Sequence, residues 1–92
     1  MSARVVWKFT VDPWGTRVRM PEGARLLHAH EQSGHVCVWA DVDPVARDVE
    51  RILLVVGTGH PVPRGAETYL GTAHIVEAGQ PLVLHVYDGG EA

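Results

Sequence analysis

Four side chains of metal-binding type, His28, His30, His35 and Cys37, fall within one short stretch of the chain. If Ser33-Gly34 forms a two-residue hairpin turn, Gln32 lies opposite His35, His30 opposite Cys37 and His28 opposite Trp39. Directly opposed residues share a face of the ladder, so three imidazoles and a thiol would project to one side, and these are ligand types that zinc prefers. Leu27, Ala29, Val36, Val38, Ala40 and Val42 would make the other, core-facing side. A register slip of one residue dismantles the cluster. A His-x-His pair on a polar strand face is more often solvated, with Cys37 packed beneath Trp39. That is the reading adopted here: a zinc-stabilised domain is the lowest alternative, and no metal site or cofactor is assigned.

The better candidate is the loop Gly57-Thr58-Gly59-His60-Pro61-Val62-Pro63-Arg64-Gly65. Glycine lets backbone N–H groups approach an anion, and Thr, His and Arg side chains donate to phosphate or carboxylate. Thr58, Gly59, His60 and Arg64 are therefore the expected ligand-binding residues. The loop is not a Walker loop, because Gly-x-x-x-x-Gly-Lys-Ser/Thr is absent and no helix follows. Its prolines also suit a purely geometric role, since each restricts the residue before it to extended backbone. A short echo, Val56-Gly57-Thr58-Gly59-His60 against Leu70-Gly71-Thr72-Ala73-His74, would set each Thr and His on one strand face. At five residues it reads as chance similarity.

Machinery for catalysis is sparse. The only serines are Ser2 and Ser33, neither in a nucleophile elbow, and Cys37 lies between two valines as an inert thiol would. Asp41 and Asp43 share a strand face without a metal motif. No set of nucleophile, base and oxyanion donors assembles, so the protein is not expected to be an enzyme. His85, within Val83-Leu84-His85-Val86-Tyr87, reads as a hydrogen-bonded core or interface histidine. Trp7 and Trp39 read as core aromatics. Trp14, at a turn tip, is exposed and is the expected partner-binding residue.

The elements that position these residues follow from punctuation and period. Asp12-Pro13-Trp14-Gly15 spells a type I turn, and Met20-Pro21-Glu22-Gly23 repeats the arrangement. Glu77-Ala78-Gly79-Gln80-Pro81 marks a further turn. Between turns, β-branched runs with period-2 alternation predict strands at Arg4–Thr10, Arg17–Met20, Arg25–Gln32, His35–Val42, Val49–Val56, Thr68–Val76 and Leu82–Tyr87. The fold class is all-β: about seven short, mostly antiparallel strands in a small sandwich or partly open barrel. In Arg51–Val56 and Leu82–Val86 the apolar residues hardly alternate, which predicts central strands covered on both faces and a homo-oligomer to supply part of that cover.

The 92 residues suffice for a single β domain spanning 1–92. Apolar residues at 46% and charged residues at 21% exclude a disordered chain. The net charge of −3 argues against duplex nucleic acid, and no apolar run is long enough for a membrane helix. One cysteine and an N-terminus that runs straight into a strand pattern predict a cytoplasmic protein. Arg4, Arg17, Arg19, Arg25 and Arg64, all outside the acidic Asp41–Glu50 stretch, could form a local positive patch.

Pro21-Glu22-Gly23-Ala24, Cys37-Val38-Trp39-Ala40, Val42-Asp43-Pro44, Gly57-Thr58-Gly59-His60-Pro61, Gly71-Thr72 and His85-Val86-Tyr87 together resemble a small family of phage- and actinobacteria-encoded β-rich proteins of unknown function. The resemblance covers nearly the whole chain, and the Gly-Thr-Gly-His-Pro loop is its most specific piece. It implies a stand-alone β-rich protein with no assigned activity and carries no catalytic residues across. His28 and His30 depart from it. By analogy with small phage accessory proteins, the expected function is a non-enzymatic binding protein that sequesters an anionic, nucleotide-like ligand at residues 57–65 and counteracts host defence. The alternative is a protein-interaction module that inhibits a host protein through Trp14. If phage-encoded, it would act in the host cytoplasm.

Overall fold

The structure, a computed structural model, describes residues 3–92. Seven strands follow one another: β1 (Val5–Val11), β2 (Arg17–Pro21), β3 (Arg25–Gln32), β4 (His35–Val42), β5 (Asp48–Gly57), β6 (Thr68–Glu77) and β7 (Gln80–Glu91). Each expected strand is present, and β3 and β4 have the expected bounds. The last strand runs past Tyr87 through Asp88-Gly89-Gly90 to Glu91, with Asp88 paired on both sides and Glu91 opposite Arg51 of β5. One sheet has the order β1-β4-β3, the other β2-β5-β7-β6, and every pairing is antiparallel. The two sheets pack as a sandwich and do not close into a barrel. No helix of the structure is long and apolar enough to cross a membrane.

Turn chemistry sets the registers. Ser33 and Gly34 take φ of 54° and 83°, the pair of positive values of a type I′ hairpin, and the Gly34 N–H donates to Glu31 Oε2 at 2.7 Å. Ala78 and Gly79, at 49° and 77°, join β6 to β7 in the same way. At Asp12 the carboxylate accepts from the Trp14 N–H at 2.9 Å while its carbonyl accepts from Gly15 at 3.0 Å, closing the expected turn. The turn at Pro21 sits one residue later than expected. Its bond runs from the Ala24 N–H to the Pro21 carbonyl, because Gly23, at φ 77°, supplies the positive φ needed in third position.

The core has two parts. Val11, Ala29, Val36, Val38, Leu53, Leu70, Ala73, Ile75, Leu84 and Val86 form the larger, and Met20, Ala24, Ala40 and Val42 the smaller. Strands β5 and β7 are the central pair of their sheet, as expected, but their outer face is covered only in part, at Val56. Leu84 and Val86 are buried, whereas Leu54 and Tyr87 on the other face are half-buried and Val83 is exposed. A second layer can shield one side only.

Two further expectations change. A bulge between Leu26 and His28 removes Leu27 from the ladder, so Leu26 packs against the core and Leu27 is 41% exposed. Trp7 is also 41% exposed rather than core. It lies opposite fully buried Ala40, so it faces inward, at the margin of the smaller core cluster of Met20, Ala24, Ala40 and Val42.

Candidate functional site

The two sheets meet most closely where β3 crosses β6, and this corner sets the place of everything around the 57–65 loop. A Cβ on Gly71 would stand 2.1 Å from the Ala29 carbonyl oxygen, so only glycine allows the approach. Beyond Gly71 the outer face of β6 carries Thr72, and β7 sets His85 directly opposite it. Strand β5 ends at Gly57, and the chain turns at once, with the His60 N–H donating to the Gly57 carbonyl at 3.2 Å.

The loop is split between two surfaces. Thr58 turns to the outer face of the β2-β5-β7-β6 sheet, where its Oγ1 is 2.7 Å from His85 Nε2. The other ring nitrogen, Nδ1, is 3.0 Å from Thr72 Oγ1. A neutral imidazole carries one donor and one acceptor, so one threonine hydroxyl accepts from the ring and the other donates to it. The Tyr69 hydroxyl bonds Thr72 in turn, and the Tyr69 ring meets Tyr87 edge-on at 5.6 Å. His85 is thus half-buried and hydrogen-bonded, as expected. The two echoed segments place their threonines on the two nitrogens of one histidine, a relation that the reading as chance similarity did not foresee. Tyr69 and Tyr87 carried no signal in sequence, because their ring contact joins β6 to β7 across the ladder.

His60 turns the other way. Its imidazole folds over Gly57, where an added Cβ would lie 3.2 Å from His60 Cδ2. With Trp14 it walls a cavity of about 330 Å³ whose other lining residues are Val55, Val56, Gly57, Leu82 and Leu84. Trp14 is 68% exposed, as its turn position predicted. The ligand candidate and the partner candidate therefore share one opening. Gly59, at φ 88°, has open space beside its Cα. Arg64 is exposed and does not line the cavity. Of the four expected loop residues, then, His60 lines the cavity with Trp14, Thr58 serves the outer network, and Gly59 and Arg64 face solvent.

Chemically, the His85 ring could take the Thr58 proton, yet its second nitrogen meets a neutral hydroxyl where a carboxylate would stabilise an imidazolium. The chain Thr58–His85–Thr72–Tyr69 holds the loop against the sheet. The cavity beside it offers an apolar floor with an indole and an imidazole at the rim, which suits a flat aromatic group.

The hairpin histidines have the expected register, Gln32 opposite His35, His30 opposite Cys37 and His28 opposite Trp39. His28 and His30 stack at 6.0 Å and line an open groove with Leu27 and Trp39, while Cys37 is buried. Among the described residues no group of three or more His, Cys, Asp or Glu side chains could hold a metal ion. Two of the five arginines singled out in sequence have acidic partners. Arg4 pairs with Asp41 at 2.6 Å and Arg17 with Glu50 at 3.4 Å, each neutralised locally.

A charged pair unforeseen in sequence lies at the far end of β5 and β7. Arg51 grips Asp88 with both arms, Nε to Oδ1 at 3.0 Å and Nη2 to Oδ2 at 2.7 Å, and Nη1 donates to the Ala24 carbonyl at 2.7 Å. The side chains are 11% and 13% exposed. Burial pushes the Asp88 carboxyl up, but the Arg51 hydrogen bonds, the Gly90 N–H and the Arg51 charge together hold it below its ordinary value. Hydrogen bonding to Asp88 correspondingly raises Arg51.

A family model described as Domain of unknown function (DUF7352) matches residues 2–92. The chain belongs to that family. The match takes in both sheets, the 57–65 loop and Trp14, so the site described above lies wholly within the DUF7352 domain. No curated protein and no solved structure matches the chain.

Proposed function

We propose that this DUF7352 protein is a non-enzymatic binding module that takes a nucleotide-like ligand, an aromatic base carrying an anionic group, at the Trp14–His60 opening. The observation that carries the reading is that Trp14 and the loop residue His60 wall the same apolar cavity of about 330 Å³. The base stacks on Trp14 and enters the cavity. The anionic group meets the Gly59 backbone, His60 and Arg64 on the solvent side of the loop. Thr58 acts indirectly, through the bond to His85 that holds the loop. The resemblance to phage and actinobacterial proteins supports a role as a cytoplasmic accessory factor that removes a signalling nucleotide from host defence.

The test is a panel of mono-, di- and cyclic nucleotides read by melting-temperature shift and by calorimetry. Binding is expected to weaken about 10-fold in Trp14→Ala, the scale of one lost base-stacking contact, and to weaken in Arg64→Ala with a reduced salt dependence. A panel without any shift, or binding indifferent to both substitutions, sinks the proposal.

A second reading, inhibition of a host protein, is favoured by the 68% exposure of Trp14, since exposed tryptophans anchor interfaces. It predicts that Trp14→Ala abolishes capture of a specific host protein while Arg64→Ala leaves it intact.

A further inference from the structure

Four strands end the two sheets, and they are not alike. At one corner β3 and β6 lie against each other, with the Ala29 carbonyl over Gly71. Strand β2 is five residues long and carries Arg17, Arg19 and Pro21, features that keep an edge from pairing with another chain. Strand β1 has the sequence Val-Val-Trp-Lys-Phe-Thr-Val over seven residues, with one charge. Among the described residues it pairs with β4 alone, so a full row of N–H and C=O groups on its other side has no strand partner.

Its side chains tell the same story on both faces. Val5, Trp7 and Phe9 lie opposite Val42, Ala40 and Val38, which are fully buried, so they point to the core side. Yet Val5 is 38% and Trp7 41% exposed. On the opposite face Val6 is 59% exposed. An edge with open backbone groups and uncovered apolar side chains on both faces is complementary to another such edge, and the chain supplies one in a second copy.

We propose that two copies pair antiparallel through β1 about a two-fold axis at Trp7, joining two three-stranded sheets into one of six strands. The axis follows from charge and coverage. Centred on Lys8, whose ammonium reaches Gln32 of its own chain at 2.5 Å, it would set two lysine positions directly opposite, a like-charge pairing that ladders disfavour. Centred on Phe9, it would leave Val5 and Val6 opposite the Asp12-Pro13 turn. Centred on Trp7, it sets Trp7 opposite Trp7 of the partner subunit, Val5 opposite the partner's Phe9 and Val6 opposite the partner's Lys8. That register covers the three exposed apolar residues and keeps the charges apart.

The test is sedimentation equilibrium over a concentration series, with far-UV circular dichroism to verify folding. The parent chain is expected to dimerise. Val6→Lys puts like charges opposite each other at two symmetric places and should raise the dimer dissociation constant about 10-fold, whereas Val6→Glu, facing the partner's Lys8, should leave it unchanged or lower it. In a Cys37→Ser background, Trp7→Cys should cross-link to itself on mild oxidation, because the two positions meet at the axis, and Phe9→Cys should not. A parent chain monomeric at hundreds of micromolar, equal effects of the two Val6 substitutions, or cross-linking of Phe9→Cys as readily as Trp7→Cys would each overturn the proposal.

Discussion

Gly71 shows how much one residue decides. Its missing side chain lets the Ala29 carbonyl sit where a Cβ would be, 2.1 Å away, and so lets β6 close against β3. Gly71→Ala forces backbone apart in a buried corner. It is expected to cost about 3 kcal/mol, read as a lowered urea midpoint; an unchanged midpoint would mean that the corner relaxes freely. Nothing local announces this need. Gly71-Thr72 reads in sequence as part of a β-run, and the carbonyl that it must admit is some forty residues earlier in the chain. His85 is similar. Its polar character in an apolar strand signals a hydrogen-bonded histidine, but the identity of its partners, Thr58 and Thr72, depends on where β5 ends and β6 lands.

At the scale of elements, the 57–65 loop is ordered by its ends more than by its interior. Gly57 turns the chain, Thr58 ties it to His85, and His60 folds back over Gly57. Thr58→Val removes the tie while preserving shape. Global stability should fall by about 1 kcal/mol at most, while amide exchange at Gly59, His60 and Arg64 should accelerate several-fold. Exchange that stays as slow as in the parent would show that the bond does not anchor the loop. The β3–β4 hairpin illustrates what is legible at this scale and what is not. Ser33-Gly34 and the alternation beyond it dictate the register as far as His28 opposite Trp39. The bulge that follows exchanges Leu27 for Leu26 in the core, and both are leucine, so the sequence has no preference to display.

For the whole molecule, the pair Arg51–Asp88 joins β5 and β7 to the turn between β2 and β3. Asp88→Asn leaves a nearly buried guanidinium short of its counter-charge and is expected to destabilise the fold by about 2 kcal/mol at neutral pH. The sign of the pH dependence follows from the depressed Asp88 carboxyl. Its contribution is complete above the unfolded-state value near pH 4 and is lost as pH falls through the lower folded-state value. Urea midpoints should therefore decline with acidification below about pH 4 in the parent, and less steeply in Asp88→Asn. Parallel declines would assign the acid sensitivity to other carboxylates.

Composition, turn residues and period-2 patterning were enough to settle an all-β chain, its strands, its tight hairpins and which two strands lie at the centre of a sheet. These are properties of neighbours in the chain, where backbone φ, side-chain branching and apolar spacing act directly. The order of strands within each sheet, the close corner at Gly71, the shared opening of Trp14 and His60, the double grip on His85 and the exposure of Trp7 were decided only by the tertiary structure. Each depends on which strands meet and how the two sheets lie against one another. That is set by packing between residues distant in sequence, and no local pattern encodes it.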